Sequence, residues 1–163
     1  MTERQTEFAR FYEEWRDGCL RAVLAVDGDQ ALAEDLVAEA FARAWARWSR
    51  VRAHPAPQAW VVRTALNTRI SWWRRRKRET SLSSHDVALA DPSSVDPSLL
   101  AAVRALPRRQ REVVAYRVFL DLDARTTGEL LGISANTVSV HLFRAVAELR
   151  VRLSSEAAME SLS

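Results

Sequence analysis

The chain has one cysteine, four glycines and no long apolar run among its 163 residues. A single cysteine, Cys19, excludes an internal disulfide and is typical of a reducing cytosol. No apolar stretch approaches the roughly 20 residues that a membrane-spanning helix needs. The N-terminus also lacks the basic start and apolar core of a secretory signal. We therefore expect a soluble, cytoplasmic protein without membrane insertion.

The scarcity of glycine and the near absence of alternating apolar and polar residues argue against a large β-sheet, while alanine, leucine and arginine favour helices. Apolar spacing predicts helices over 4–25, 30–49, 57–76, 107–119, 124–131 and 135–153, with a short one after 98. Serine, proline and acidic residues over 79–97 predict a flexible acidic linker. We predict an all-α protein with two small helical domains, 1–78 and 98–153, and a tail at 154–163.

Residues 43–78 contain no acidic side chain, and this absence coincides with a concentration of arginine and tryptophan. The basic residues are Arg43, Arg47, Arg50, Arg52, Arg63, Arg69, Arg74, Arg75, Arg76, Lys77 and Arg78, and the indoles are Trp45, Trp48, Trp60, Trp72 and Trp73. Positive charge attracts phosphates without regard to sequence, and aromatic faces can stack on unpaired bases. The segment therefore predicts a surface for nucleic acid whose strands are, or become, single.

The first 42 residues have the opposite balance, with ten acidic and four basic side chains. Charged partners sense local fields over roughly one Debye length, about 8–10 Å, so the net charge of +3 is a poor summary. Two differently charged surfaces indicate two different partners.

Residues 126–138 have the layout of a helix-turn-helix. Gly128 would let two helices approach closely, Gly132 can take the positive φ of a turn, and Ser134 can cap the second helix. Such a helix presents its N-terminal residues to the major groove. The predicted outward residues are Asn136, Thr137, Ser139, Val140 and Arg144.

Several segments together resemble the sigma-70 family of RNA polymerase sigma factors. Residues 33–45 resemble its core-polymerase-binding helix, and 59–76 resemble its promoter-melting segment. Residues 106–114 and 131–138 resemble the region that reads the −35 promoter element. The short two-domain chain is similar to the extracytoplasmic-function subgroup, and the resemblance covers about residues 5–153.

The resemblance implies a polymerase-docking face, two DNA-binding surfaces and a functional name for each domain. Residues 1–78 would be the region 2 domain and 98–153 the region 4 domain, while the linker would thread the polymerase channel. The matching polymerase-binding positions are Asp35, Leu36, Glu39, Phe41 and Trp45. The −10 positions are Arg63, Asn67, Trp72, Trp73, Arg74, Arg75 and Arg76, with a flipped base near Asn67. The −35 positions are Ser134, Asn136, Thr137, Ser139, Val140 and Arg144.

The implied partners are core RNA polymerase, promoter DNA and an anti-sigma factor, with a monomer as the free form. Ser139, Val140 and His141 replace the basic run that is common in the family's recognition helix. Phosphate contacts from this helix would then rest mainly on Arg144, with help from Arg108, Arg109 and Arg111.

Two other functions remain compatible with parts of the sequence. Residues 137–142 also resemble the recognition helix of LuxR-type activators, which would make the chain a stand-alone DNA-binding regulator. The basic segment alone would suit a packaging or RNA-binding protein. We expect no cofactor, no metal site and no enzymatic activity, because neither metal-ligand spacing nor a nucleophile–base arrangement is evident.

Overall fold

The computed structural model describes the backbone of residues 1–79 and 96–162 and the side chains of 1–68 and 96–162. All regular structure within these ranges is helical, which confirms the predicted fold class. The helices are α1 Glu3–Asp27, α2 Gln30–Ala46, α3 Trp48–Val51, α4 Pro57–Glu79, α5 Pro97–Arg104, α6 Arg108–Val114, a π-helical segment Ala115–Phe119, α7 Ala124–Leu131 and α8 Ala135–Leu162.

Local capping explains where the first two helices meet. The C-terminal cap of α1, Gly28, lies in the left-handed region with φ of 72°, a conformation that glycine adopts without steric cost. Asp29 then begins α2 by accepting a hydrogen bond from the Leu32 N–H at 3.1 Å. The predicted boundary between these helices is confirmed. Helix α2 ends at Ala46, before the predicted 49, because Arg47 leaves helical geometry ahead of the short α3.

The C-terminal helices differ from prediction at two places. The helix expected over 107–119 is α6 followed by the π-helical segment, in which the Leu120 N–H donates to the Ala115 carbonyl at 3.1 Å. Helix α8 continues to Leu162, nine residues beyond the predicted end at 153. Ser154 and Ser155 do not stop it, because neither glycine nor proline follows and the next residues are good helix formers.

Helix α1 packs on both the N-terminal and the C-terminal helices, so the two parts share one apolar core. On the N-terminal side it contacts α2 and α4, and on the C-terminal side α5, α6 and the π-helical segment. Gly18 marks a close approach, since a Cβ atom there would lie 3.0 Å from the Phe119 carbonyl oxygen. The sequence did not predict this contact. The division into separate domains stays a prediction.

Polar groups also cross the junction between the two parts. Within the N-terminal part, the Cys19 thiol of α1 donates to the Gln58 carbonyl of α4 with an Sγ–O distance of 3.6 Å. The Gln58 side chain in turn donates from Nε2 to the Leu120 carbonyl at 3.4 Å. Burial raises the pKa of Tyr116 to about 12, an effect that Glu112 reinforces and Arg63 opposes. Arg63 of α4 is thus close enough to the π-helical segment to influence its electrostatics.

Within the described residues no single helix is long and apolar enough to cross a bilayer, and α7 with α8, bent by 102°, reaches that length and apolarity only as a pair.

We predict that Cys19 reacts with iodoacetamide at pH 8 more than about 100-fold more slowly in the native protein than in guanidinium chloride. The thiol is buried, and burial raises its pKa, so the nucleophilic thiolate is depleted about tenfold for each unit of the rise. The measurement is the alkylation rate by mass spectrometry. A native rate close to the unfolded rate would contradict the shared core.

Candidate polymerase and nucleic-acid interfaces

The outer face of α2 carries the predicted acidic docking residues. Asp35 is exposed, while Glu39 is partly exposed and accepts a hydrogen bond from Arg43 at 2.9 Å. Trp45, near the end of the helix, is 36% exposed. These three side chains present two carboxylates and an indole edge to solvent within about three helical turns.

Leu36 and Phe41, the other two predicted docking residues, lie in the core with 1% and 3% exposure. Phe41 belongs to an aromatic cluster at the α1–α2 junction, whose closest ring centroids are 5.0–5.7 Å apart. The members of this aromatic cluster are Phe8, Phe11, Tyr12, Phe41, Trp45 and Trp48. Leu36 and Phe41 therefore lie beneath the predicted docking face and are not part of its surface.

Arg4 fixes the exposed end of the aromatic cluster. Its guanidinium lies 4.8 Å from the centroid of the Trp45 ring and donates from Nη2 to the Trp45 carbonyl at 3.1 Å. A positive charge at this carbonyl complements the negative end of the α2 dipole. The indole that the sequence assigned to docking is therefore held by a cation–π contact and by packing on Phe8.

Arg43 connects the acidic helix to the basic helix α4. Its Nη2 donates to Glu39, while its Nη1 donates to the Thr68 hydroxyl at 3.2 Å. Thr68 passes the connection on by donating to the Thr64 carbonyl at 2.8 Å. Since Thr68 is buried, this chain of hydrogen bonds is partly shielded from water and fixes how α2 and α4 sit relative to each other.

A cleft of about 290 Å³ lies along α4 at the predicted −10 surface. Arg63 and Asn67 are both exposed at this cleft, so the structure brings together two residues that the sequence assigned to the −10 element. The complete lining is His54, Ala59, Trp60, Arg63, Thr64, Asn67 and Leu130. The cleft combines an indole face, an amide and a guanidinium, which are the groups that can stack on, read and hold a nucleotide.

The sequence missed two residues of the cleft. His54 precedes a proline in the loop before α4, and its Nδ1 accepts a hydrogen bond from the Ala56 N–H at 2.9 Å. The proton of the neutral ring is therefore on Nε2. Leu130 comes from α7, across the junction between the two parts. No local pattern could have placed Leu130 here, because its position depends on tertiary packing.

The remaining predicted −10 residues lie at the end of α4. The backbone of Trp72, Trp73 and 74–76 continues the helix. Their side chains lie outside the described residues, so their assignment stays a prediction.

Helices α7 and α8 form the predicted helix-turn-helix, with an angle of 102° between them. Gly128 is buried where they cross, and a Cβ atom there would lie 2.5 Å from the Ile133 carbonyl oxygen. Gly132 takes the left-handed turn conformation with φ of 71°. Ser134 caps α8 by accepting from the Thr137 N–H at 3.0 Å. The roles predicted for the two glycines and the serine are confirmed.

The predicted −35 residues fall into two groups on the N-terminal half of α8. Ser134 and Thr137 share a hydrogen bond of 2.8 Å, and the Ser139 hydroxyl donates back to the Ala135 carbonyl at 3.2 Å. Asn136, Val140 and Arg144 are exposed. Phe143, which the sequence did not single out, is 77% exposed on the same side of the helix.

The arginines expected to assist α8 are partly engaged elsewhere. Arg111 donates to the Arg104 carbonyl at 3.1 Å and so caps α5. Arg109 donates to the Leu131 carbonyl at 3.5 Å at the end of α7. Arg108 is 60% exposed at its side chain and lies 3.9 Å from Glu112, which leaves it the most accessible of the three.

In the part of the chain that the structure describes, no three or more His, Cys, Asp or Glu side chains are grouped so as to hold a metal ion.

Comparison with known proteins agrees with the two-part organisation of these surfaces. A family model for sigma-70 region 2 matches residues 11–79, and one for sigma-70 region 4 matches residues 97–149. The RNA polymerase sigma-E factor of Streptomyces coelicolor is 34% identical over 152 residues, which cover 90% of this chain and 86% of that protein. The sigma factor SigV of Bacillus subtilis is 26% identical over 132 residues, 78% of each chain.

A solved structure is similar in fold. It is the sigma factor RpoE in complex with the anti-sigma factor NepR from Bartonella quintana, with a TM-score of 0.64 and 22% identity. The similarity covers 89% of this chain and 97% of that one.

We predict that Gly128→Ala lowers the free energy of unfolding by about 3 kcal/mol, because the new Cβ collides with backbone that cannot rotate away. Gly132→Ala is the matched control. Nothing lies within 4 Å of a Cβ atom there, so only its positive φ costs energy, about 1 kcal/mol. Denaturant unfolding measures both variants. An equal or smaller loss for Gly128→Ala would contradict the close crossing of α7 and α8.

Proposed function

Because the chain belongs to the sigma-70 family of RNA polymerase sigma factors, in its extracytoplasmic-function subgroup, we propose that it binds core RNA polymerase and directs promoter-specific initiation. It acts in the cytoplasm as an initiation factor and not as an enzyme. The observation that carries the proposal is the order of regions 2 and 4 in one chain, each with a surface suited to its partner. A stand-alone regulator would leave residues 11–79 unexplained.

The docking surface for core polymerase is the outer face of α2. Asp35, Glu39 and Trp45 make the contact, and Leu36 and Phe41 hold the helix in place from the core. The ion pair with Arg43, at 2.9 Å, fixes the direction of the Glu39 carboxylate. Docking on this face leaves the cleft of α4 free for DNA.

The −10 element is bound along α4. Arg63 and Asn67 hold and read a base that has left the duplex, with Trp60 and His54 as walls of the cleft. Trp72 and Trp73 stack on the separated strand, and Arg74, Arg75 and Arg76 bind phosphates. Extruding a base costs a few kcal/mol, which these contacts offset without ATP.

The −35 element is bound by the N-terminal half of α8, whose axis the helix-turn-helix directs into the major groove. Elements near positions −35 and −10 are about 25 base pairs apart, or about 85 Å at 3.4 Å per base pair. A compact protein of this length has a radius of gyration of about 15 Å, so the packed arrangement cannot reach both. We propose that the two parts separate at the α1 junction when the promoter is bound.

An anti-sigma protein is a further expected partner. The similar structure from Bartonella quintana is a complex with one. A partner that stabilises the packed arrangement would keep Leu130 over the −10 cleft and so hold the chain inactive.

Reconstituted transcription tests the proposed function. The purified chain, added to core RNA polymerase from a compatible bacterium and a library of random templates, is expected to give transcripts with defined 5′ ends. Sequencing those ends identifies the elements. The proposal fails if no template yields a promoter-directed transcript, or if the reconstituted holoenzyme binds scrambled and selected DNA equally.

We predict that Asp35→Arg weakens binding to core polymerase at least about tenfold, because it reverses an exposed charge at the N-terminal end of the docking face. Glu156→Arg is the matched control, since it makes the same change of charge at an exposed position far along α8. Affinity is measured with labelled protein and core enzyme. Equal affinity of both variants and the wild type would remove Asp35 from the docking face.

A further inference from the structure

The solvent-facing side of α8 carries apolar side chains in its N-terminal half, the part of a recognition helix that contacts base edges. Val140 is 38% exposed and Phe143 is 77% exposed. Both project away from the domain core, because Val138 and Ala145 on the opposite side of the helix are completely buried. The two residues are three positions apart and therefore lie on one side, about 4.5 Å apart along the axis.

The polar side chains near Val140 and Phe143 mostly form hydrogen bonds within α8 and its N-terminal cap. The Ser139 hydroxyl donates to the Ala135 carbonyl, and the hydroxyls of Ser134 and Thr137 bond to each other at the cap. His141 is half-buried, and its Nδ1 is shielded from solvent. Most hydrogen bonding to base edges from this half of α8 is thus left to Asn136 and Arg144.

Apolar groups can still discriminate between bases. In the major groove the 5-methyl group of thymine is the one apolar group that a base pair presents. The spacing of Val140 and Phe143 along α8 is close to one base-pair step, about 3.4 Å. We infer that Val140 and Phe143 select thymine in the −35 element by contacting its methyl group. This inference rests on the proposed function.

The surroundings of the pair favour DNA over an apolar protein as its occupant. Asn136 lies one turn before Val140 and Arg144 directly after Phe143, and both are exposed. An amide can bond adenine and a guanidinium can bond guanine or phosphate, so polar readers flank the apolar pair on the same surface. The positive end of the α8 dipole adds attraction for phosphate. A docking surface for an apolar protein face would not place an amide and a guanidinium beside its apolar side chains.

The test removes the methyl group and leaves the protein unchanged. A promoter selected by the reconstituted holoenzyme is prepared with each −35 thymine replaced in turn by deoxyuridine, which pairs with adenine equally. The wild-type holoenzyme is expected to bind about fourfold more weakly at one or two positions, the loss of one buried methyl contact. Deoxyuridine without effect at every thymine would overturn the inference.

Variants then assign the contact to its residues. Val140→Ala and Phe143→Ala should each lose sensitivity to deoxyuridine at one position. Val151→Ala is the matched control, because Val151 is 62% exposed on the same helix about three turns further on. It should keep the full wild-type sensitivity.

The outcomes separate this inference from the proposed function. A holoenzyme that transcribes no unmodified promoter contradicts the function itself. One that transcribes but shows unaltered deoxyuridine sensitivity in both alanine variants contradicts only the inference, since another group then reads the methyl. If the two variants instead affect only capture by an anti-sigma protein, the apolar pair belongs to a protein interface and the inference is wrong.

Discussion

Burial of α1 on two sides is the constraint on which the other surfaces depend. Its first half packs through Phe8 and Phe11 on the aromatic residues of α2 and α3, and this packing holds the docking face in place. Its second half, with Val23 completely buried, packs against the C-terminal helices. The aromatic contacts belong to the first half of α1, whereas Gly18 in the second half approaches the Phe119 carbonyl. The C-terminal helices can therefore leave α1 without disturbing the aromatic contacts that position α2.

Opposite charges lie close together in the N-terminal part, and we propose different partners for them. Asp29 at the N-cap of α2 and Arg43 in its last turn each complement the helix dipole. Arg43 links the acidic and basic helices, because its guanidinium donates hydrogen bonds to Glu39 within α2 and to Thr68 on α4. These hydrogen bonds fix the acidic face of α2 relative to the cleft of α4. The proposed polymerase and DNA surfaces can then be used at the same time.

Helix starts and turns, which depend on residues close in sequence, were predictable. Burial and contacts between distant segments were not. Asp29 and Ser134 mark helix starts because their side chains satisfy backbone N–H groups a few residues away. The burial of Leu36 could not be predicted from the sequence. A match to a family position does not tell whether the residue contacts the partner or packs beneath the residues that do. Leu130 lines the α4 cleft because α1 packs on both the N-terminal and the C-terminal helices. The π-helical segment likewise carries no local signal.

The two proposed DNA surfaces differ in charge. This difference assigns phosphate binding mainly to residues 43–78 and base recognition mainly to α8. Phosphate contacts supply affinity without regard to sequence, and the basic residues for them are concentrated in 43–78. From residue 135 to 149, α8 has a single arginine, Arg144, and its exposed readers are otherwise an amide and two apolar side chains. A helix of this kind holds DNA weakly when free. Its contribution becomes useful once the polymerase and the −10 surface fix the duplex nearby, because the apolar contacts then only have to discriminate between sequences already held in place.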